Sequence, residues 1–311
     1  MIFVRLYRCG LDIGLSELRE RGLAVLEKIV VGYAGDQAGR DAVKLAARLA
    51  AVLSSHVTIV FPYHPLSASV PGDRAEEDVR GEVQALTAGI GGLAAPTYHW
   101  SPSPWPIHAL HELAGYEDAN LIVFGAAHEG LADHLHVSLM ERMVHGAPCA
   151  VAVAPAGYAG RDPGEAGRVG VGFSDSDEGK AALHLAHELA GILGGELEVI
   201  AGSGLSPALA SYAFSSPSLP AAEDEMYAET KANLERVAGE LGDGVPVHLE
   251  TVRGDPSEVL IERSGNLDIL MLGSRAYGPL RHVLLGSVSA CVMREAHCPV
   301  LVVPRGAPPR E

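Results

Sequence analysis

Short runs of Val, Ile and Leu recur along the chain, and the segments between them place apolar residues at helical spacing. In the second half, Arg168–Phe173 is a β-rich apolar run, and Gly179–Leu193 carries Leu183, Leu185, Ala186, Leu189, Ala190 and Leu193 on one helical stripe. Leu197–Ala201 reads as a strand, Ser203–Pro220 as a Ser/Pro-rich loop and Glu223–Leu241 as a helix charged on one side. Strand Val247–Val252, helix Ser257–Arg263, strand Asp268–Leu272, helix Ser287–Ala296 and strand Val300–Val303 complete the half. Strands that are apolar throughout and alternate with helices predict a parallel sheet covered on both faces.

The first half repeats this pattern from Ile29 to Val153. Gly32 falls on Gly172, Gly39 on Gly179, Leu45 on Leu185 and Leu49 on Leu189, at a constant offset of 140. Further on, ANLIVFG ending at Gly125 matches LDILMLG ending at Gly273 at an offset of 148, and Cys149 to Pro155 matches Cys298 to Pro304 at 149. A period this long indicates two copies of one domain rather than a solenoid. The expected fold class is therefore α/β, with two tandem Rossmann-like domains, each a five-stranded parallel sheet with helices on both faces. The expected organisation is an extension over 1–26, a first domain over 27–155, a Gly/Pro-containing linker over 156–166, a second domain over 167–305 and a tail over 306–311.

Charge and cysteine content narrow the function classes. The 311 residues carry 23 basic and 39 acidic side chains, a net charge of −16, with no Lys/Arg run, which disfavours nucleic acid or an anionic membrane as partner. Apolar runs stay well short of the ~20 residues that span a bilayer. Arginines interrupt the apolar residues of the N-terminus, so it lacks the core of a signal peptide. The four cysteines, Cys9, Cys149, Cys291 and Cys298, form neither a disulfide framework nor a CxxC, and a cytoplasmic location is expected.

In a doubly wound sheet, ligands bind at the carboxyl ends of strands where the strand order reverses. Gly273 lies at such an end, and its missing Cβ allows close approach to the backbone. Gly286 and Ser287 open the last helix, whose Val288, Cys291, Val292 and Ala296 form an apolar stripe. The free N–H groups and dipole of that helix start make an anion site. Read by itself, the pattern is equally that of a strand-end turn followed by a helix cap.

The segment GSRAYGPLRHVLLGSVSACVMREAHCPVLVVP, together with VGVGFSDSDEGKAALHLA and GDPSEVLIERSGNLDILMLGSR, resembles the universal stress protein family. The resemblance covers both copies. It implies an adenine nucleotide α-hydrolase-like fold, and pairing of the two domains through their last strands as an intramolecular pseudo-dimer, with a homodimer as a further assembly. One branch of that family binds ATP through Gly, two residues, Gly, nine residues, Gly and Ser or Thr. Gly273, Ala276, Gly286 and Ser287 stand at those places, so alanine replaces the second glycine. By this resemblance Gly273, Ala276, Gly286, Ser287 and Val288 surround the phosphates and Arg275 adds charge. Ser174, at a position where the family tends to have Asp, would face ribose and adenine with the Ile200–Ala201 backbone. Magnesium would be held mostly by the phosphates.

In the first copy the same loop is one residue shorter, Val137 replaces the phosphate-facing glycine, His128 takes the place of Ala276, and Ala34 stands at the Asp position. A β-branched side chain there fills the space of a phosphate. ATP is thus expected in the second domain and not in the first. The expected role is regulatory binding without efficient catalysis, since no general base or nucleophile is poised. The alternatives are a stress-response interaction module that binds no nucleotide, and a slow ATP hydrolase using Asp175, His282 or Arg275.

Other motifs read as structure. Gly172 to Lys180 has six residues between its glycines where a P-loop has four, and Ala181 lacks the magnesium-binding hydroxyl. His128, His134 and His136 have no fixed ligand spacing and read as loop histidines; His184 and His187 read as exposed helix surface. Cys149 and Cys298 read as packing residues, Cys291 as core, and Trp100 and Trp105 as anchors of a loop.

Overall fold

A computed structural model describes residues 26–63, 73–103, 105–126, 141–161, 167–204, 219–274 and 286–304. The chain divides into two compact units, with the break between residues 165 and 166. In the first unit, β1 (Lys28–Gly32), β2 (His56–Tyr63), β3 (Thr97–Pro102), β4 (Leu121–Gly125) and β5 (Ala150–Ala154) run in the order β3-β2-β1-β4-β5, and every pair is parallel. Its helices are α1 (Gln37–Leu53), α2 (Asp73–Thr87) and α3 (Pro106–Tyr116).

The second unit repeats the plan. Strands β6 (Arg168–Gly172), β7 (Glu196–Ser203), β8 (Val247–Arg253), β9 (Ile269–Gly273) and β10 (Val300–Val303) run in the order β8-β7-β6-β9-β10, again all parallel. Helices α4 (Asp177–Leu193), α5 (Leu219–Ala238), α6 (Pro256–Ser264) and α7 (Ser287–Glu295) join them. Strands covered on both faces are apolar, and every residue of β5 and β10 is buried. Strands β3 and β8, at the outer end of each order, mix half-buried with exposed positions.

Local chemistry sets the helix ends. Asp36 caps α1 by accepting from Gly39 N at 2.7 Å, and Ser176 caps α4 by accepting from Gly179 N at 3.0 Å. Both helices end on a left-handed residue, Ser54 in α1 and Gly194 in α4. Asp255 caps α6 through Ser257 N at 2.9 Å.

Three elements differ from the sequence expectation. Helix α5 begins at Leu219, inside the stretch read as loop, and ends at Ala238. The buried face of α7 is Ser289, Val292 and Met293, while Val288, Cys291 and Ala296 are only half-buried. The helix is turned so that Ser289 Oγ faces the Gly273 carbonyl at 3.5 Å, an orientation that apolarity alone does not encode. Trp100 lies within β3 rather than in a loop, opposite Phe61 of β2.

Candidate functional site

In each unit the strand order reverses at one point, between β1 and β4 in the first and between β6 and β9 in the second. A crevice therefore opens at their carboxyl ends. In the second unit the start of α4 is pressed into it. A Cβ on Gly273 would lie 2.7 Å from the Glu178 carbonyl carbon and 2.8 Å from Gly179 N, and a Cβ on Gly179 would lie 2.1 Å from Ser174 O. The bare Cα of Gly273 is thus taken up by helix packing. The first unit does the same, since a Cβ on Gly125 would lie 1.9 Å from Ala38 O.

These contacts bring Ser174 and Gly273 against the first turn of α4, and Ser289 of α7 faces the Gly273 carbonyl. Ser174 is exposed at the end of β6, with its Oγ 3.1 Å from Ser176 Oγ. Gly286 is buried and precedes α7 in an extended conformation (φ −82°, ψ 163°), with no side-chain capping bond among the described residues. Ser287 is exposed and Val288 half-buried. Ile200 and Ala201 are buried in β7, and the Ile200 carbonyl accepts from Phe173 N at 2.8 Å. Arg275, Ala276 and His282 lie outside the described residues, as do His128, His134, His136, Val137 and Ser138.

Asp175 is engaged elsewhere. Its carboxylate pairs with Lys180 Nζ at 2.9 Å and with Arg236 at 3.4 Å. The Lys180 bond, aided by Arg236, holds its pKa below the usual carboxylate range. Ser203 Oγ, at the carboxyl end of β7, is buried without a hydrogen-bond partner among the described residues. Cys149 and Cys298 are buried, and burial pushes the Cys149 thiol up to about 12. Cys291 is half-buried rather than core. His184 is exposed as expected, but His187 is half-buried, with a buried Nε2 that has no partner among the described residues. Among the described residues no group of three or more His, Cys, Asp or Glu is placed to hold a metal, and no helix is long and apolar enough to cross a membrane.

The first unit's crevice carries different residues. Tyr33, at the end of β1, is 1% exposed. Its ring lies 6.1 Å from that of Phe61, which lies 4.5 Å from that of Trp100. Burial, with the nearby Glu82 carboxylate, raises the Tyr33 pKa, and Glu82 itself pairs with Arg40 at 2.7 Å. By the repeat offset, Phe173 and Ala201 stand where the first copy has Tyr33 and Phe61. The Phe61-to-Ala201 exchange was legible in the alignment, but its meaning was not. Only the register of β2 against β3, which sets Phe61 opposite Trp100, shows that the three rings stand in a row.

A sequence model of the universal stress protein family matches residues 26–155 and again 165–304. The chain belongs to the universal stress protein family. A universal stress protein of Mycobacterium tuberculosis is 30% identical over 206 residues, 63% of this chain and 65% of its own length. One from Methanocaldococcus jannaschii is 39% identical over 62 residues, 19% of this chain and 36% of its own. The matches thus span between about a third and two thirds of these curated relatives. The crystal structure of a universal stress protein from Archaeoglobus fulgidus superposes with a TM-score of 0.61 at 19% identity, covering 91% of this chain and 98% of that one. That likeness supports the fold of two tandem universal stress domains.

Proposed function

We propose that this protein binds ATP as a regulatory ligand through its second domain and does not turn it over efficiently. The observation that carries this reading is the contrast between the two crevices. In the first unit the Tyr33, Phe61 and Trp100 rings lie against one another beside the crevice, whereas the second has Ala201 at the Phe61 position and a helix start at Gly286 that no side chain among the described residues caps. An uncapped helix start presents N–H donors and a positive dipole end to a phosphate. Ser287 adds a hydroxyl there, and Arg275 and Ala276 belong to the same loop by sequence. Ser174 and the end of β7 take the nucleoside side, where the unpartnered Ser203 hydroxyl offers a further polar contact. Magnesium comes with the phosphates. Asp175, tied to Lys180 and Arg236, is a poor general base, consistent with slow or no hydrolysis.

One observation favours a second reading. Gly273 is explained by the approach of α4 alone, so the crevice also suits an interaction module that binds no nucleotide.

The deciding experiment uses the full chain. Isothermal titration with ATP and magnesium is expected to give one site per chain. Gly286→Val is expected to remove binding with an unchanged circular dichroism spectrum. Loss of two charge-assisted hydrogen bonds at about 1.5–3 kcal/mol each corresponds to more than a hundredfold in affinity. Absence of heat and of any nucleotide released on denaturing the purified protein would select the second reading.

A further inference from the structure

The chain leaving β5 was expected to be a linker from residue 156 onward, yet its first six residues are tied to the first unit. After Ala154 it turns at Gly157, which has φ +76°, into a short 3-10 turn over Tyr158–Gly160. The carboxylate of Asp41 lies under this turn and is 0% exposed. Asp41 Oδ2 accepts from Gly157 N at 2.8 Å, and Oδ1 accepts from Ala159 N at 2.7 Å and from Gln37 Nε2 at 3.1 Å. Two turns further along α1, Arg48 completes the attachment. Its guanidinium lies 4.8 Å from the Tyr158 ring centroid and donates to Arg161 O at 2.7 Å.

A buried carboxylate is costly unless hydrogen-bonded, and here the outgoing main chain supplies two of the donors. The repeat isolates the device. The second-copy counterpart of Asp41 is Ala181, and that of Arg48 is Glu188. Helix α4 follows α1 in its capping and in its glycine packing, but not at these two positions. Both α1 residues whose side chains touch the outgoing chain are thus replaced in the second copy.

We propose that Asp41 is a latch that makes residues 157–161 part of the first domain, with Arg48 as its second anchor. Asp41 thereby sets the point at which the connection to the second domain begins. The first domain holds its outgoing chain at this point, and the second copy keeps neither residue.

Hydrogen exchange on the full-length protein tests it directly. The amides of Gly157 and Ala159 are expected to exchange at least a hundredfold slower than unprotected amides. Asp41→Asn is expected to abolish that protection while core amides of β1 and β4 keep theirs. Limited trypsin digestion supplies a second readout, with cleavage after Arg161 at least tenfold faster in Asp41→Asn than in the wild type. Should Asp41→Asn not fold, Arg48→Gln tests the same attachment from its other anchor and is expected to speed cleavage after Arg161. Unprotected Gly157 and Ala159 amides in the wild type, or cleavage after Arg161 at equal rates in wild type and variants, would overturn the proposal.

Discussion

At the residue scale, two glycines carry a packing constraint and a third carries none. Gly125 and Gly273 end β4 and β9 where the first turn of the same unit's leading helix, α1 or α4, presses on the backbone. Gly125→Ala places a methyl against Ala38 O, which belongs to main chain and cannot rotate away. It is expected to destabilise the protein by about 1–3 kcal/mol or more, read as a lower urea midpoint. Gly81, exposed within α2 with nothing within 4 Å of an added Cβ, is the control. Gly81→Ala is expected to stabilise by about 0.5–1 kcal/mol, the helix cost of glycine. Cys149 gives a chemical prediction at the same scale. With its thiol raised to about 12 by burial, it is expected to resist alkylation at pH 8 until the protein is unfolded.

At the scale of elements, the β7–β8 pair holds an electrostatic imbalance. Burial raises the Glu198 pKa above the usual carboxylate range, and the Glu250 carboxylate on the neighbouring strand adds to this, opposed by Arg263 and His248. The native state therefore binds more protons than the unfolded chain between the unfolded value, about 4.3, and the raised one. Stability falls as pH rises through that window. Glu198→Gln removes the cost, so its thermal midpoint is expected to exceed the wild type at pH 7, with the difference vanishing by about pH 4. A constant difference across that range would point to packing instead.

On the scale of the whole molecule, the two halves carry separate spectroscopic reporters. Both tryptophans, Trp100 and Trp105, belong to the first domain, while far-ultraviolet circular dichroism reports on both. If nucleotide binds the second domain, ATP at a hundred times its dissociation constant adds about 2.7 kcal/mol there. The dichroism transition is then expected to move up in temperature, with the tryptophan fluorescence transition moving less. A fluorescence transition that moves first would place the ligand in the first crevice.

Much of the architecture was legible in the sequence, because strands buried on both faces must be apolar and a duplicated domain leaves a constant offset. The two parallel sheets and the matching glycines of the two copies follow from that repeat and from the apolar runs. The tertiary structure alone decided what the glycines face, which side of α7 is buried, how the Tyr33, Phe61 and Trp100 rings meet, and which amides donate to Asp41. Each of these depends on contact between residues far apart in the chain. Periodicity records which face of an element is apolar, but not which distant backbone, ring or amide will press against it.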